Sequence, residues 1–196
     1  MLSLCLGIAG FLLYLLYDIN SFTVHARLPR IFFMLGSILI ATATVLDFHS
    51  ARKMGAIAGI TDLLLLAAGI ACFAALIYCL FFALPFQETY TAQTAGRKVY
   101  DAGVYALCRH PGVLCFAGMY LFWGLAAIPG SLLYHGLTFS LLNLVYVWFQ
   151  DRVTFPKTFC NYAAYRKKVP FLFPTGKSIR LARQTWGRSI SEEDEA

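Results

Sequence analysis

Arg109, His110 and Pro111 stand together directly before an apolar run of the sequence. Proline is easily accommodated at the first position of a helix, because its missing N–H would have no partner there. The amides that follow would be free donors at a helix N-terminus, which attracts anions. Gly112 carries no side chain that would hinder a close approach. Arg109 adds a fixed positive charge, and the ring of His110 can be neutral or cationic near neutral pH. The spacing predicts a binding position for a carboxylate or a phosphate.

The same three residues have a simpler interpretation. Arg109 and His110 would anchor the end of a membrane helix in the lipid headgroup layer, and Pro111 would only begin that helix. Both interpretations require a helix that starts at Pro111. The tripeptide by itself does not distinguish them.

The composition indicates which elements carry these residues. Of the 196 residues, 59% are hydrophobic and 13% are charged, whereas soluble domains have about 45–50% apolar and about 25% charged residues. A bilayer span needs roughly 20 apolar residues, with a range of about 17–25. We therefore predict an all-α integral membrane protein with about five transmembrane helices. The first two apolar runs are short and must recruit flanking residues. The runs are Leu2–Tyr17, Ile31–Leu46, Leu63–Phe86, Pro111–Ile128 and Leu132–Phe149.

The distribution of the basic residues predicts the orientation. Most of the 16 Lys and Arg residues lie in the first connection, in the third connection and in the C-terminal tail. Because positive charge concentrates on cytoplasmic sides, the tail should be cytoplasmic and the N-terminus outside. A bacterial inner membrane and an endoplasmic reticulum membrane both fit. The tail would attract anionic membrane lipids. We expect no nucleic-acid partner, since no aromatic platform or known module accompanies the charge.

The start of the third helix has two interpretations. Thr61 and Asp62 could form an N-terminal cap for a helix that begins there. Alternatively the helix begins near Met54, so that Gly55 and Gly59 form a small-residue contact inside the membrane. The first interpretation is favoured, because a charge at Asp62 is costly inside hydrocarbon.

The chain is predicted to be one membrane domain, with an N-terminal three-helix part over residues 1–86, a second part over 87–175 and a tail over 176–196. The loop Gln87–Arg109 is too long for a simple connection, which is typical of functional loops. In the tail, aromatic residues at helical spacing predict an amphipathic helix at the membrane surface. They are Phe155, Phe159, Tyr162 and Tyr165. The six cysteines form no CxxC pair, so neither a disulfide nor a metal site is expected.

Two motifs of this part resemble a known family. "GVYALCRHPGVLCF" (Gly103–Phe116) is similar to the G-x-Y-x-x-x-RHP-x-Y signature of the isoprenylcysteine carboxyl methyltransferase and phospholipid methyltransferase superfamily. In that family an acidic pair ends the last membrane helix, and the pattern Y-x-x-Y-x-x-x-VP-x-x-x-P follows. Gln150-Asp151 stands in place of the acidic pair. The residues with the tail spacing are Tyr162, Tyr165, Val169, Pro170 and Pro174.

The resemblance implies an integral membrane methyltransferase that uses S-adenosylmethionine (SAM) and methylates a lipid or other lipophilic acceptor. It assigns catalytic roles to Arg109, His110 and Asp151. By position it also assigns the cofactor contacts to ten residues of the loop, the motif and the end of the last helix. These are Arg97, Lys98, Val99, Tyr100, Tyr105, His110, Pro111, Gly112, Val113 and Gln150.

The residue types fit those roles. Arg109 or Lys98 can hold the methionine carboxylate. The rings of Tyr100 and Tyr105 can cover the adenine or the sulfonium, a cation–π contact of roughly 0.5–2 kcal/mol. Gln150 or Asp151 can bind the ribose hydroxyls or the cofactor amine.

The reaction would be in-line transfer of an already activated methyl group. Alignment of the two reactants can supply roughly 7–11 kcal/mol of barrier reduction. An amine acceptor would need a proton acceptor, for which His110 or Asp151 is the expected group. A carboxylate acceptor would need none.

The chain departs from the family pattern at three places. Val113 replaces the tyrosine after the RHP motif, Gln150-Asp151 replaces the acidic pair, and the residues before Gln150 lack the arginine of the carboxyl methyltransferases. Prenylcysteine specificity is therefore not expected, and N-, O- and S-methylation stay open. Two alternatives stay open as well. One is a non-catalytic lipid- or partner-binding membrane protein on the same scaffold, and the other is a reductase of the sterol-reductase type that uses a nicotinamide cofactor.

Overall fold

A computed structural model describes residues 1–23, 30–83 and 98–186. All regular elements in these ranges are helical, which confirms the all-α class for this part of the chain. Two π-helical segments, Tyr78–Phe82 and Gln150–Thr154, directly follow the third and the sixth helix. The α-helices are α1 (Leu2–Phe22), α2 (Arg30–Lys53), α3 (Ile60–Ile77), α4 (Val104–Leu107), α5 (Pro111–Ala126), α6 (Leu132–Phe149), α7 (Phe155–Thr158), α8 (Tyr162–Lys168) and α9 (Gly176–Thr185).

Four helical segments are long and apolar enough to cross a membrane: Leu2–Ser21, Ile31–Lys53, Ile60–Phe82 and Leu132–Thr158. The first two extend beyond their apolar runs, as expected. The fourth run, Pro111–Ile128, forms α5, which has 16 residues and is about 24 Å long at roughly 1.5 Å per residue. The hydrocarbon core of a bilayer is about 30 Å thick. Four candidate spans are thus established by length and composition, and the count of five stays a prediction.

The chain divides into two compact units, and the first comprises Met1–Phe73 and Phe116–Gln150. Its core is built from apolar side chains of α1, α2, α5 and α6. The backbones of α1 and α2 approach closely at Gly10 and Gly36. A Cβ at Gly10 would lie 2.8 Å from the Gly36 carbonyl oxygen, so only glycine fits this crossing. The core residues include Phe11, Ile40, Ala43, Met119, Tyr120, Leu132 and Phe139.

Helices α5 and α6 form the antiparallel hairpin that their short connection predicts. Gly124 lies against Leu133, and Gly136 lies against the ring of Tyr120. A contact that moves back along α5 as it moves forward along α6 is the signature of antiparallel packing. The Tyr120 hydroxyl is 2.6 Å from the Thr44 hydroxyl of α2, so a buried hydrogen bond links the hairpin to α2.

A buried polar network that the sequence analysis did not single out surrounds Asp47 in the first unit. The hydroxyls of Ser3 and Ser131 donate to Asp47 Oδ1 at 2.7 and 2.9 Å. His135 Nδ1 lies 2.8 Å from Asp47 Oδ2. Because burying a carboxylate is costly without partners, this network fixes the start of α1, the later part of α2 and the start of α6 against one another.

The start of α3 follows the capping interpretation. The helix begins at Ile60, and the carboxylate of Asp62 accepts hydrogen bonds from the backbone N–H groups of Ala58 and Gly59, at 3.1 and 2.9 Å. Asp62 thus caps the helix from inside its first turn. The alternative start near Met54 is wrong, since Gly55 has a φ of 70° and lies in a turn.

The second unit comprises Ala74–Cys115 and Asp151–Ala196. Here the predicted amphipathic surface helix is wrong in two respects. The helix is interrupted at Phe159, which has extended backbone angles and separates α7 from α8. Tyr162 and Tyr165 are 2% and 3% exposed, and pack together with Val169. The aromatic face therefore meets the protein interior and not a lipid surface. The sequence pattern could not distinguish the two, because both environments accept apolar side chains.

Candidate functional site

The centre of the site is the carboxylate of Asp151, which is 2% exposed on the π-helical segment after α6. Arg109 Nε lies 2.8 Å from Asp151 Oδ1, and Arg109 Nη2 donates to Oδ2 at 3.3 Å. His110 Nε2 is 3.1 Å from Oδ1, and the Tyr162 hydroxyl donates to the same oxygen at 2.6 Å. A buried carboxylate needs such partners, because an unpaired charge is strongly disfavoured away from water. The structure therefore brings together the predicted catalytic residues Arg109, His110 and Asp151.

The guanidinium of Arg109 also connects the RHP motif to the tail. Its Nη1 donates to the carbonyl oxygens of Arg166 and Val169, at 3.0 and 3.1 Å. The backbone N–H of Arg109 donates to the Pro170 carbonyl at 2.9 Å, and its Cζ lies 5.6 Å from the centre of the Phe171 ring. Only 9% of the side chain is exposed. Arg109 thus positions the tail against the start of α5.

The ring of His110 is enclosed by aromatic side chains. It stacks on Phe155 at 5.9 Å and meets Phe171 edge-on at 5.0 Å. Burial lowers the pKa of His110 below its usual value, and this effect outweighs the raising effect of the hydrogen bond to Asp151. The ring is therefore neutral at pH 7. Because a carboxylate only accepts hydrogen bonds, the proton lies on Nε2, and Nδ1 is the nitrogen that can accept a proton.

Arg166 is the accessible cation of the cluster and was missed as a site residue. Its Nε lies 3.8 Å from Asp151 Oδ2, and its side chain is 34% exposed. It follows Tyr162 by one helical turn of α8, so the tail motif places both residues at the same carboxylate. With a neutral His110, two guanidinium groups face one carboxylate. The site therefore carries a net positive charge.

The described part of the loop before the motif packs against the π-helical segment after α3 and against the tail. Tyr100 and Tyr105 are in edge-to-face contact at 6.4 Å, and the Tyr105 hydroxyl donates to the Cys79 carbonyl at 2.8 Å. The backbone N–H of Val99 donates to the Asn161 side chain at 2.7 Å. Two other cofactor contacts were predicted in this loop. Lys98 is the first residue of the described range 98–186, and Arg97 lies outside the described residues.

The first residues of α5 confirm the predicted helix start, and they also pack against neighbouring side chains. Pro111 is the first helical residue, as expected. A Cβ at Gly112 would lie 3.3 Å from Leu76 Cδ1, so the missing side chain leaves room for the end of α3. Val113 is 6% exposed, and its N–H donates to the His110 carbonyl at 3.1 Å. The side chain of Val113 therefore packs inside the protein.

The glycine of the first motif has a conformational reason. Gly103 has a φ of 56°, a backbone region that other residues rarely adopt. Its N–H donates to the Thr185 hydroxyl of α9 at 3.2 Å. Gly103 thus lets the chain turn into α4 while α9 is held against it.

Gln150 belongs to the first unit, where its side-chain amide donates to the Tyr146 hydroxyl at 2.9 Å. The contacts that gather Arg109, His110 and Asp151 all lie in the second unit. Among the described residues, no group of three or more His, Cys, Asp or Glu side chains is arranged to hold a metal ion.

Comparison of the chain with protein-family models, characterised proteins and solved structures finds no match. The resemblance thus depends on the two motifs alone. The spacing of the tail motif indicates Tyr162 and Tyr165, but the sequence assigns neither of them a role in the site. Nothing in the sequence pointed to Phe171 or to the guanidinium of Arg166.

Proposed function

We propose that the chain is a SAM-dependent methyltransferase of the membrane that methylates a lipid or lipophilic acceptor. One observation carries the proposal. The RHP motif and the tail motif, recognised separately by their spacing, meet at the carboxylate of Asp151 through Arg109, His110 and Tyr162. Two motifs of one family would be expected to share a site, and a buried charged cluster is where perturbed and functional groups concentrate.

The proposed topology has five spans, with the N-terminus outside and the tail in the cytoplasm. Alternate crossing puts the start of α1, the end of α2 and the start of α6 on the same side. The network around Asp47 joins these elements, which supports that alternation. Helix α5 is short for a span, and a short helix is accommodated by local thinning of the bilayer at a modest cost.

The net positive charge of the site is complementary to the methionine carboxylate of SAM. When bound, SAM supplies a methyl group that is already activated on a sulfonium. Arg166 would bind the methionine carboxylate, because it is the more exposed of the two guanidinium groups. Arg109 would hold the tail in place, a role that replaces the direct contact expected from the sequence. Phe155 and Phe171 would fix the ring of His110 and exclude water from it.

His110 is the expected proton acceptor if the methyl acceptor is an amine. Asp151 holds Nε2, so Nδ1 of the neutral ring would take the proton that the amine loses. Asp151 itself is occupied by its partners, and its expected role is to position the ring. This division resembles the orientation of a catalytic histidine by a buried aspartate in other enzymes.

The test is binding of SAM and of S-adenosylhomocysteine to the purified protein in detergent, measured by calorimetry. We expect the His110→Ala variant to bind SAM at least about tenfold more weakly, which corresponds to a loss of about 1.4 kcal/mol of binding free energy. His49→Ala is the matched control, because His49 is exposed and belongs to the first unit. Absence of binding at millimolar concentration would remove the proposal. If SAM binds, incubation with labelled SAM and a panel of phospholipids, prenylcysteines and small thiols would identify the acceptor.

A second candidate is a non-catalytic membrane protein that binds a lipid or a partner on the same scaffold. It is favoured by the way in which Arg109, Asp151 and Tyr162 satisfy one another, since a purely structural clamp would look the same. Transfer of label from SAM to extracted membrane lipids separates the two. Transfer that is lost in the His110→Ala variant supports the enzyme, and binding of lipid without transfer supports the second candidate.

A further inference from the structure

Helix α9 is fixed to the second unit by one face only. Ser178, Ala182 and Thr185 are buried, and Thr185 accepts the hydrogen bond from Gly103. The helix begins with a reciprocal cap, in which Thr175 and Ser178 each bind the backbone N–H of the other. These contacts define the rotation of α9 about its axis. The opposite face is therefore presented outward in a fixed orientation.

The outward face of α9 is basic with an apolar margin. Lys177, Arg180 and Arg183 are exposed, and the segment from Phe171 to Trp186 contains no acidic residue. Ile179 is 40% exposed, Trp186 is 61% exposed, and Phe173, just before the helix, is 72% exposed. Large exposed apolar groups beside a row of cations are costly in water. They suit a boundary where one side is apolar and the other is charged.

We propose that this face of α9, together with Phe173 and Trp186, binds the anionic headgroups of phospholipids at the membrane surface. The charges are complementary, and each Lys or Arg near such a surface strengthens binding by about fivefold. Trp186 and Ile179 would enter the boundary between headgroups and acyl chains, where tryptophan is enriched. The inference is independent of the proposed methyl transfer, because it uses no residue of the Asp151 cluster.

The assignment also corrects which tail element meets the membrane. The aromatic side chains of α8, Tyr162 and Tyr165, are buried in the protein interior. Helix α9 is the tail helix whose cations and apolar groups share an exposed face. A nucleic acid would use the cations but would leave Ile179 and Trp186 without an apolar surface, so an anionic lipid fits better.

The experiment uses the full chain in vesicles that contain phosphatidylcholine with brominated acyl chains, which quench nearby tryptophan. One set has phosphatidylcholine only, and the other also has about 30 mol% phosphatidylglycerol. The contribution of Trp186 is the difference between the wild type and the Trp186→Phe variant. We expect quenching of Trp186 to be at least about twofold greater in the anionic vesicles, and to fall to the neutral level in about 0.5 M salt.

Three variants make the test specific. K177Q/R180Q/R183Q should lose the response to phosphatidylglycerol, whereas R180K/R183K keeps the charge and should retain it. R52Q/K53Q removes exposed cations at the end of α2 and should have no effect. Equal quenching in both vesicles would overturn the proposal, as would a response that survives K177Q/R180Q/R183Q. Binding of a DNA duplex that needs these cations, with no response to phosphatidylglycerol, would assign the face to nucleic acid instead.

Discussion

The hydroxyl of Tyr162 donates a hydrogen bond of 2.6 Å to Asp151 Oδ1, across the break that separates α7 from α8. Burial, together with this donation to a carboxylate, raises the pKa of the Tyr162 phenol above its usual value. The phenol therefore stays neutral and remains a donor at physiological pH. Through this bond the tail motif is attached to the same carboxylate that holds Arg109 and His110.

Tyr162→Phe removes only this donor. We expect the free energy of unfolding to fall by about 1–3 kcal/mol, because Asp151 loses a hydrogen bond inside the protein. Thermal unfolding of the purified protein in detergent measures the change. Tyr134→Phe is the control, since Tyr134 is 73% exposed. Equal melting temperatures for wild type and Tyr162→Phe would show that the bond contributes nothing.

The pairing of Arg109 with Asp151 can be isolated by a double-mutant cycle. Asp151→Ala should cost about 3–5 kcal/mol, because it leaves the guanidinium of Arg109 buried without its counter-charge. Adding Arg109→Ala to that variant should cost less than Arg109→Ala costs in the wild type. Denaturant unfolding followed by circular dichroism gives the four values.

Asp101 provides a matched comparison for this cycle. Its ion pair with Lys168 has a distance of 3.5 Å, and the Lys168 side chain is 62% exposed. Asp101→Ala should therefore cost no more than about 1 kcal/mol. Additive losses for Arg109→Ala and Asp151→Ala would show that these two side chains are not coupled.

The lowered pKa of His110 predicts a pH dependence of stability. In the unfolded chain His110 has the ordinary histidine pKa of 6.5. As the pH falls, His110 therefore binds a proton in the unfolded chain before it does so in the folded chain. The contribution of His110 is therefore present above about pH 6.5 and is lost progressively below it. His110→Gln keeps a donor for Asp151 but does not titrate. As the pH is lowered from about 7 to about 5, the melting temperature of this variant should fall less steeply than that of the wild type. Parallel curves for wild type and variant would contradict the assignment.

In the first unit, the Asp47 network predicts a separate stability effect. Ser131→Ala removes a hydrogen bond to a buried carboxylate and should cost about 1.5–3 kcal/mol. Asp47→Ala should cost more, since it leaves Ser3, Ser131 and His135 without their shared acceptor. Thr42→Ala is the control, because Thr42 is exposed and its hydroxyl donates only to the Ile38 carbonyl one turn earlier. Melting in detergent compares the variants, and equal losses for Ser131→Ala and Thr42→Ala would count against the network.

The amino-acid sequence alone was sufficient to predict the helical class and the start of α5 at Pro111. It was also sufficient to predict four of its five proposed spans as helices long and apolar enough to cross a membrane. These features are local. An apolar run of sufficient length forms a helix, and proline at a helix start needs no partner for its missing N–H. The motif spacing also indicated Tyr162 and Tyr165, because residues three apart on a helix share a face.

The surroundings of those helix faces became visible only in the folded chain. Lipid and protein interior are equally apolar, so the period of the tail aromatics predicted a face but not that Tyr162 and Tyr165 point into the protein. The length of α5 depended on where the turn to α6 begins, and Arg109 became a clamp because its guanidinium meets carbonyls of the tail. Buried charges such as Asp47 and Asp151 need partners that are distant in the chain, and no local pattern specifies which residues these are.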